Sequence, residues 1–252
     1  MMNYDQICYS RSCLSQVILR IDFLEYTDND ILFGSDVEKE VLCNFPKKGM
    51  QQLLRFQTMN VIADPQNGTR AEQTTRDGVQ QEFSNSDGNK LVLANKFIIL
   101  EINKYTKYEA VLEVFLPVLK TLLSKIQLTS MRTGIRYINF FSDEGIRPQK
   151  NYFTASVGSL LETKLTSGNC IRSMAMNEYV IDDMHLNFRF GMYNPQYPQP
   201  MKKVSYVLDY DCFCDDAVIG FEAIIGHIQK GHDSIQRLFE DSITQHLRRV
   251  MQ

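Results

Sequence analysis

The chain has 252 residues, 44% of them hydrophobic and 23% charged, which is ordinary for a globular protein of one large domain or two smaller ones. A formal net charge of −3 offers no overall attraction to nucleic acid, so nucleic-acid binding is not favoured and would need a local basic patch. No apolar run reaches the roughly 18 residues of a membrane-spanning helix, and the six cysteines follow no framework spacing; we expect a cytoplasmic protein with free thiols and no membrane partner.

The first predicted element is a strand over residues 14–24 with an apolar face and a second face that carries Arg20 and Asp22. Apolar spacing then predicts a helix over residues 27–45, ended by Pro46.

A strand is predicted over residues 50–63. The stretch 64–89 is rich in Asn, Gln, Asp, Gly and Thr, which favours a flexible hairpin or loop around a short strand at 79–83.

The central part of the chain reads as strand, helix, strand. Residues 91–102 are apolar on both faces and predict one strand covered on both sides. An amphipathic stripe predicts a helix over residues 107–126, and residues 131–141 alternate as a second strand.

A polar stretch at residues 143–151 is the best candidate for an internal boundary. It separates an N-terminal α+β half, residues 1–142, from residues 152–252, although one continuous domain is also compatible with the sequence. The second part predicts paired strands at 169–181 and 184–193, a strand at 203–213, and a helix over 217–250 that is either continuous or broken near Gly231. The predicted fold is therefore α+β, with antiparallel sheets in two similar halves, each backed by a long helix.

Four short blocks carry a family resemblance: LSQVILRIDF at Leu14–Phe23, RTGIRYIN at 132–139, VLDYDCF at 207–213 and HDSIQRLFEDSIT at 232–244. Together they resemble a sporadically distributed family of uncharacterised bacterial proteins of about this length. The resemblance implies no activity or cofactor. The patchy occurrence of that family is similar to that of genes that travel with mobile elements or defence systems.

Arginines inside apolar strands need partners, because a buried guanidinium is costly unless it is paired. Arg20, Arg132, Arg136 and Arg189 are such residues, and Asp22, Asp209 and Asp211 are available carboxylates. One interpretation is an internal ion-pair network that sets strand register, which is favoured because pairing removes the desolvation cost without a ligand. The alternative is a pocket for an anionic small molecule. Its predicted residues are Arg20, Arg136, Arg189, Asp209 and Asp211.

The densest polar cluster is VLDYDCFCDD at residues 207–216. Asp209 and Asp211 share one strand face, where two carboxylates would suit Mg²⁺, while Cys212 and Cys214 share the other. A zinc site would also need His227 or His232, but Cys-x-Cys is tighter than the usual spacing and these histidines lie on different helix faces. No metal and no cofactor are predicted.

Support for catalysis is thin, since the chain has no G-x-S-x-G, P-loop, G-x-G-x-x-G or H-E-x-x-H motif. His185 and His232 are candidate acids or bases, but nothing in the sequence selects either.

The preferred function is therefore a non-enzymatic protein–protein interaction or accessory module of a bacterial cytoplasmic system. Its predicted partner-binding residues are Tyr193 and Tyr197, in and beside the proline-rich loop 194–200. The alternative is a ligand-binding sensor or an enzyme that uses the arginine and aspartate pocket. A homo-oligomer is compatible with both.

Overall fold

In the computed structural model, residues 9–64, 68–159, 170–200 and 203–252 are described, with the backbone alone over 58–64 and 68–72. The strands are β1 (Leu14–Phe23), β2 (Lys47–Lys48), β3 (Gln52–Asp64), β4 (Gly68–Ser84), β5 (Lys90–Ala94), β6 (Phe97–Ile102), β7 (Thr129–Phe141), β8 (Ser173–Ile181), β9 (Met184–Tyr193), β10 (Ser205–Cys214) and β11 (Val218–Ile219). The helices are α1 (Asn29–Leu32), α2 (Ser35–Asn44), α3 (Tyr108–Lys125), α4 (Ala155–Gly158), α5 (Phe221–Ser242) and α6 (Gln245–Met251), with a short 3₁₀ turn at Lys150–Tyr152.

All of these strands belong to one antiparallel sheet in the order β2-β4-β5-β6-β1-β7-β10-β9-β8, while β3 also pairs with β4 and β11 with β7. The predicted α+β class with antiparallel strands is confirmed. Two similar halves, each backed by a long helix, are not confirmed, because β7 and β10 pair directly from Phe141 with Tyr206 to Thr133 with Cys214. Strands from before and after the predicted boundary therefore share one sheet.

The described helices pack against one face of the sheet. In β1 the residues Val17, Leu19, Ile21 and Phe23 are buried, whereas the alternate positions are partly exposed. The buried face meets α5, as shown by the hydrogen bond of 2.8 Å between the Tyr137 hydroxyl and His232 Nδ1 and by the contact of Tyr210 with Phe239. α3 joins the same core, and its Tyr108 stacks on His232 of α5. The period of two in the strand sequence therefore separates a helix-covered face from a face that we call the open face.

The predicted single strand over residues 91–102 is wrong: β5 and β6 form a hairpin with a turn at Asn95. The Asn95 side chain is buried, accepts a hydrogen bond from the Val79 backbone N–H at 2.6 Å and donates one to the Thr27 carbonyl at 2.7 Å. The turn changes which residues face the helices. Coverage on both sides is also wrong, since Val92, Phe97 and Ile99 remain partly exposed.

Within the polar stretch predicted as a flexible hairpin or loop around a short strand at 79–83, one long strand, β4, forms a hairpin with β3. β4 pairs with β3 from Gln80 with Gln52 to Gly68 with Asp64, and its C-terminal part also pairs with β5. Much of this hairpin extends past β5, and its described side chains from residue 73 to residue 77 are exposed. A strand that buries neither face can carry polar residues throughout, which explains why composition predicted a loop.

Two helix boundaries differ from prediction. The helix predicted over residues 27–45 is divided into α1 and α2 at Gly34, which occupies the N-cap position of α2. The C-terminal helix breaks at Ile243 and not near Gly231. Ile243 is extended and buried, where it forms a β-bridge with Phe153. Within the described residues, no helix combines the length and apolar character needed to cross a membrane.

The turn between α5 and α6 is closed by a buried ion pair. Glu240 is 1% exposed and accepts hydrogen bonds from Arg248 Nε at 2.7 Å and from the Tyr9 hydroxyl at 2.8 Å. Arg248 also donates to the Glu240 backbone carbonyl. Because each buried charge has a hydrogen-bonded partner, the pair holds the first described residues against the end of the chain.

Two buried cysteine thiols predict that the protein loses stability at alkaline pH. Burial raises the pKa of the Cys13 thiol and of the Cys212 thiol from about 9 to about 12. The folded protein therefore keeps both protons at pH values where the unfolded chain releases them. We expect the free energy of unfolding to be maintained below about pH 9 and to fall between about pH 9 and 12, by about 1 kcal/mol per thiol at pH 10.

Urea unfolding under reducing conditions at pH 7 and pH 10 measures this dependence. A Cys13→Ala variant is the control, since it should lose stability at both pH values but show a shallower decline between them. Equal slopes for the two proteins would contradict the assignment to Cys13.

Candidate functional site

The charged side chains that the sequence singled out lie together on the open face. They are brought side by side by register: Asp22 is opposite Arg132, Asp211 opposite Arg136, and Asp209 opposite Arg189. Four neighbouring strands, β1, β7, β10 and β9, thus form a band of alternating charge across the centre of the sheet. All five residues of the predicted ligand pocket lie in or beside this band.

The centre of the band is a bidentate ion pair. Arg136 donates from Nε to Asp209 Oδ1 at 2.7 Å and from Nη2 to Asp209 Oδ2 at 2.6 Å. Arg189 adds a longer contact of 3.4 Å to Asp209 Oδ2. The Asp209 side chain is only 8% exposed, and its hydrogen bonds raise the pKa of Arg136. This geometry supports the interpretation that these residues hold the strands in register.

The flanking arginines are also paired, but less deeply. Arg20 contacts Asp22 through Nε at 3.0 Å and Nη2 at 2.7 Å, within the same strand. Arg132 lies 3.5 Å from Asp211 Oδ1, and its guanidinium carbon is 4.3 Å from the centroid of the Phe213 ring. The pairing of strand arginines with strand aspartates is therefore observed along the whole band.

A shallow depression of about 470 Å³ lies over β1, β6, β7 and β10. Its charged lining consists of Arg20, Arg132 and Arg136 with Asp22, Glu101 and Asp211. Arg189 and Asp209 do not line it. Three arginines face three carboxylates, so the depression carries no excess charge to attract an anion. An anionic ligand would have to displace carboxylates that already accept these hydrogen bonds.

The two tyrosines predicted to bind a partner lie at one end of the open face. Tyr193 is 41% exposed, and its ring lies nearly perpendicular to that of Phe140, with the ring centroids 5.7 Å apart. Tyr197 is 51% exposed, and the Arg172 guanidinium carbon lies 4.1 Å from its ring centroid. The loop that follows Tyr193 is held by buried Asn194, which donates to the backbone carbonyls of residues 171 and 199. The backbone next to both exposed rings is therefore fixed by the hydrogen bonds of Asn194.

Sequence reasoning missed two methionines beside these tyrosines. Met174 is opposite Gly191 in the pairing of β8 with β9, so it shares a face with Tyr193 two residues further along. Met174 is 45% exposed and Met176 is 59% exposed. The alternation in residues 173–181 is a signal that could have found them. We call Met174, Met176, Tyr193 and Tyr197 the tyrosine–methionine patch.

The groups considered for zinc or acid–base chemistry are divided between the faces. Cys212 and Cys214 are free, buried thiols on the helix side. His232 Nδ1 lies 2.8 Å from the Tyr137 hydroxyl. The His232 ring stacks on the Tyr108 ring, with the two ring centroids 3.8 Å apart. His185 is exposed and stacks against Phe213.

In the described part of the chain, no three His, Cys, Asp or Glu side chains form a group suited to a metal ion. Asp209 and Asp211, the two carboxylates considered for Mg²⁺, contact Arg136 and Arg132.

No protein-family model matches the chain, and no curated protein is significantly similar to it.

Proposed function

We propose that the protein is a non-enzymatic interaction module that binds a protein partner through the tyrosine–methionine patch. The observation that carries the proposal is the exposure of these four large side chains together, at one end of a sheet face that no described helix covers. Exposed apolar side chains that form a contiguous group are typical of protein interaction sites. Tyrosine also supplies large contact area at a low cost in conformational entropy.

The charged band supports the same proposal indirectly. Its arginines are already paired with carboxylates, so the band is satisfied without a bound molecule. The patch, in contrast, has apolar area that only a partner would remove from water. The expected partner is a protein surface with apolar side chains that cover the patch.

The sequence resemblance supports placing this module in a bacterial cytoplasmic system, as an accessory protein encoded with mobile elements or defence genes. This setting is part of the proposal. It predicts that the partner is encoded near the gene for this chain.

A second candidate function is a sensor or an enzyme for an anionic small molecule, bound in the 470 Å³ depression. The presence of Arg20, Arg136 and Asp211 in one concave site is the observation that favours it. The balanced charge and the completed ion pairs favour the interaction module instead.

Replacing both Tyr193 and Tyr197 by serine is expected to abolish or greatly weaken partner binding without altering thermal unfolding. Loss of two central aromatic anchors typically costs about 2 kcal/mol each, which together corresponds to a dissociation constant raised by roughly a thousandfold. The partner is first identified by crosslinking in the native host, then purified and titrated with each variant.

The matched control is Met50→Ser with Leu53→Ser, which removes two exposed apolar side chains at the other end of the sheet. This control should bind like the original protein. Unchanged binding by the tyrosine variant, or the absence of any stoichiometric protein partner, would overturn the proposal.

A further inference from the structure

β8 forms one edge of the sheet in the described part of the chain. β8 is the last strand in the sheet order and pairs with β9 along its whole length, from Ser173 with Met192 to Ile181 with Met184. Among the described residues, no strand pairs with its other side. An edge of this kind presents backbone N–H and C=O groups that can pair with another strand.

The residues of β8 lack the features that usually protect such an edge. The strand SMAMNEYVI has no proline and no lysine, and Glu178 is its only charged residue. Its exposed apolar side chains are Met174, Met176, Tyr179, Val180 and Ile181. Proteins that keep an edge unpaired usually place charges, proline or a bulge there. The composition of β8 instead favours pairing.

We propose that β8 pairs antiparallel with β8 of a second copy of this chain, about a two-fold axis at Asn177. A two-fold axis perpendicular to the sheet makes the strands antiparallel and keeps both helix layers on the same side. Centred on Asn177, the pairing includes every residue of β8. Met174 is then opposite Val180 of the second copy, and Ser173 is opposite its Ile181.

Charge complementarity at the two ends supports this register. Extending the pairing by one residue places Arg172 opposite Asp182 of the second copy, and symmetry repeats the contact at the other end. Both residues are exposed, and Asp182 is held in the turn between β8 and β9 with a φ of 54°. The basic end of each strand thus meets the acidic turn of the other.

Neighbouring registers are less favourable. A pairing centred on Met176 would place Val180 opposite Arg172 and Asp182 opposite Cys170, so the charged ends would not be matched. A pairing centred on Glu178 would set two like charges directly opposite each other. A register shifted by a single residue would set side chains of the open face opposite side chains of the helix-covered face. The two-fold axis excludes this register, because it keeps each residue of both copies on the same face of the sheet.

The dimer would place two tyrosine–methionine patches on one continuous open face. The inference does not depend on the proposed function, because it rests on the strand edge and its charges. Its test is the mass of the protein in solution, whereas the proposed function is tested by binding of a different protein.

The test reverses the charge of Arg172 in one variant and of Asp182 in another, and then mixes the two variants. Sedimentation velocity over a range of concentrations should show a monomer–dimer equilibrium for the original protein. Arg172→Asp alone and Asp182→Lys alone should each raise the dimer dissociation constant about tenfold, because each variant opposes like charges at both ends. An equimolar mixture of the two variants should form a heterodimer with an affinity near that of the original protein.

Because Asp182→Lys could disturb the turn between β8 and β9, a second variant tests the pairing at residues within the strand. Met174→Lys with Val180→Lys opposes like charges within the strand and should also favour the monomer. Its control is Met131→Lys with Ile219→Lys, two similarly exposed apolar positions on other strands. Slower hydrogen exchange of β8 amides at high protein concentration would locate the interface. A monomer at every concentration, or a dimer that no β8 substitution weakens, would overturn the proposal.

Discussion

Replacing Arg136 by methionine is expected to lower the free energy of unfolding by about 2–3 kcal/mol, because Asp209 would lose its bidentate partner. The Asp209 carboxylate is nearly buried, and only the 3.4 Å contact with Arg189 would remain. The partial exposure of the guanidinium places the effect below that of a fully buried pair. For a chain of this size the melting temperature should fall by roughly 5–10 °C.

Two further variants identify the cause of this loss. Arg20→Met removes a more exposed arginine that pairs within its own strand, so its effect should stay below about 1 kcal/mol. Arg136→Met combined with Asp209→Leu removes both charges and should recover much of the lost stability. Urea unfolding measures all three variants.

The same measurement separates the two candidate functions. If Arg136 served mainly to bind an anionic ligand, Arg136→Met would leave the melting temperature of the free protein nearly unchanged. That result would contradict the register role of the ion pair and would favour the depression as a ligand site.

Replacing Gly231 by valine is expected to destabilise the protein by about 2–3 kcal/mol, because α5 passes very close to β7 at this residue. A Cβ atom at Gly231 would lie 2.8 Å from Ile135 Cγ2, inside ordinary contact distance. A branched side chain would push the helix away from the sheet core. Chemical denaturation of the purified variant measures the effect.

Gly226→Val is the matched control in the same helix. Apart from its chain neighbours and the nearby backbone of α5, no described atom lies within 4 Å of a Cβ at Gly226, so the substitution should change stability by a few tenths of a kcal/mol at most, through helix propensity alone. Equal losses of stability for Gly231→Val and Gly226→Val would contradict the explanation that close packing of α5 against β7 requires glycine at residue 231.

Gly231 illustrates why local sequence information was incomplete. A glycine within a helical pattern predicts weakness, and a break near this position was one of two alternatives. The structure continues α5 through Gly231 and ends it at Ser242, where Ile243 turns into extended backbone to reach Phe153. Helix propensity acts within the chain, whereas the close approach to Ile135 involves a strand almost a hundred residues earlier.

In the candidate site, too, one feature followed from local sequence and another depended on contacts between distant segments. The chemical need for partners of Arg20, Arg136 and Arg189 was evident from their position inside apolar strands. Which carboxylate each would meet was not, because Asp209 contacts Arg136 only through the register of β10 on β7. The patch methionines share one strand face by alternation, but their exposure depends on which sheet face the helices leave uncovered.

The sequence by itself determined the antiparallel α+β class and most strands, since side-chain alternation with a period of two is a local property of β1, β7, β9 and β10. It also predicted that the strand arginines need partners, either strand carboxylates or an anionic ligand. Only the tertiary structure decided that one sheet contains every described strand, that residues 68–84 form one long strand, and that no described helix covers one face of the sheet. Strand order and register depend on contacts between distant segments, and these decide which alternating face meets a helix and which meets water.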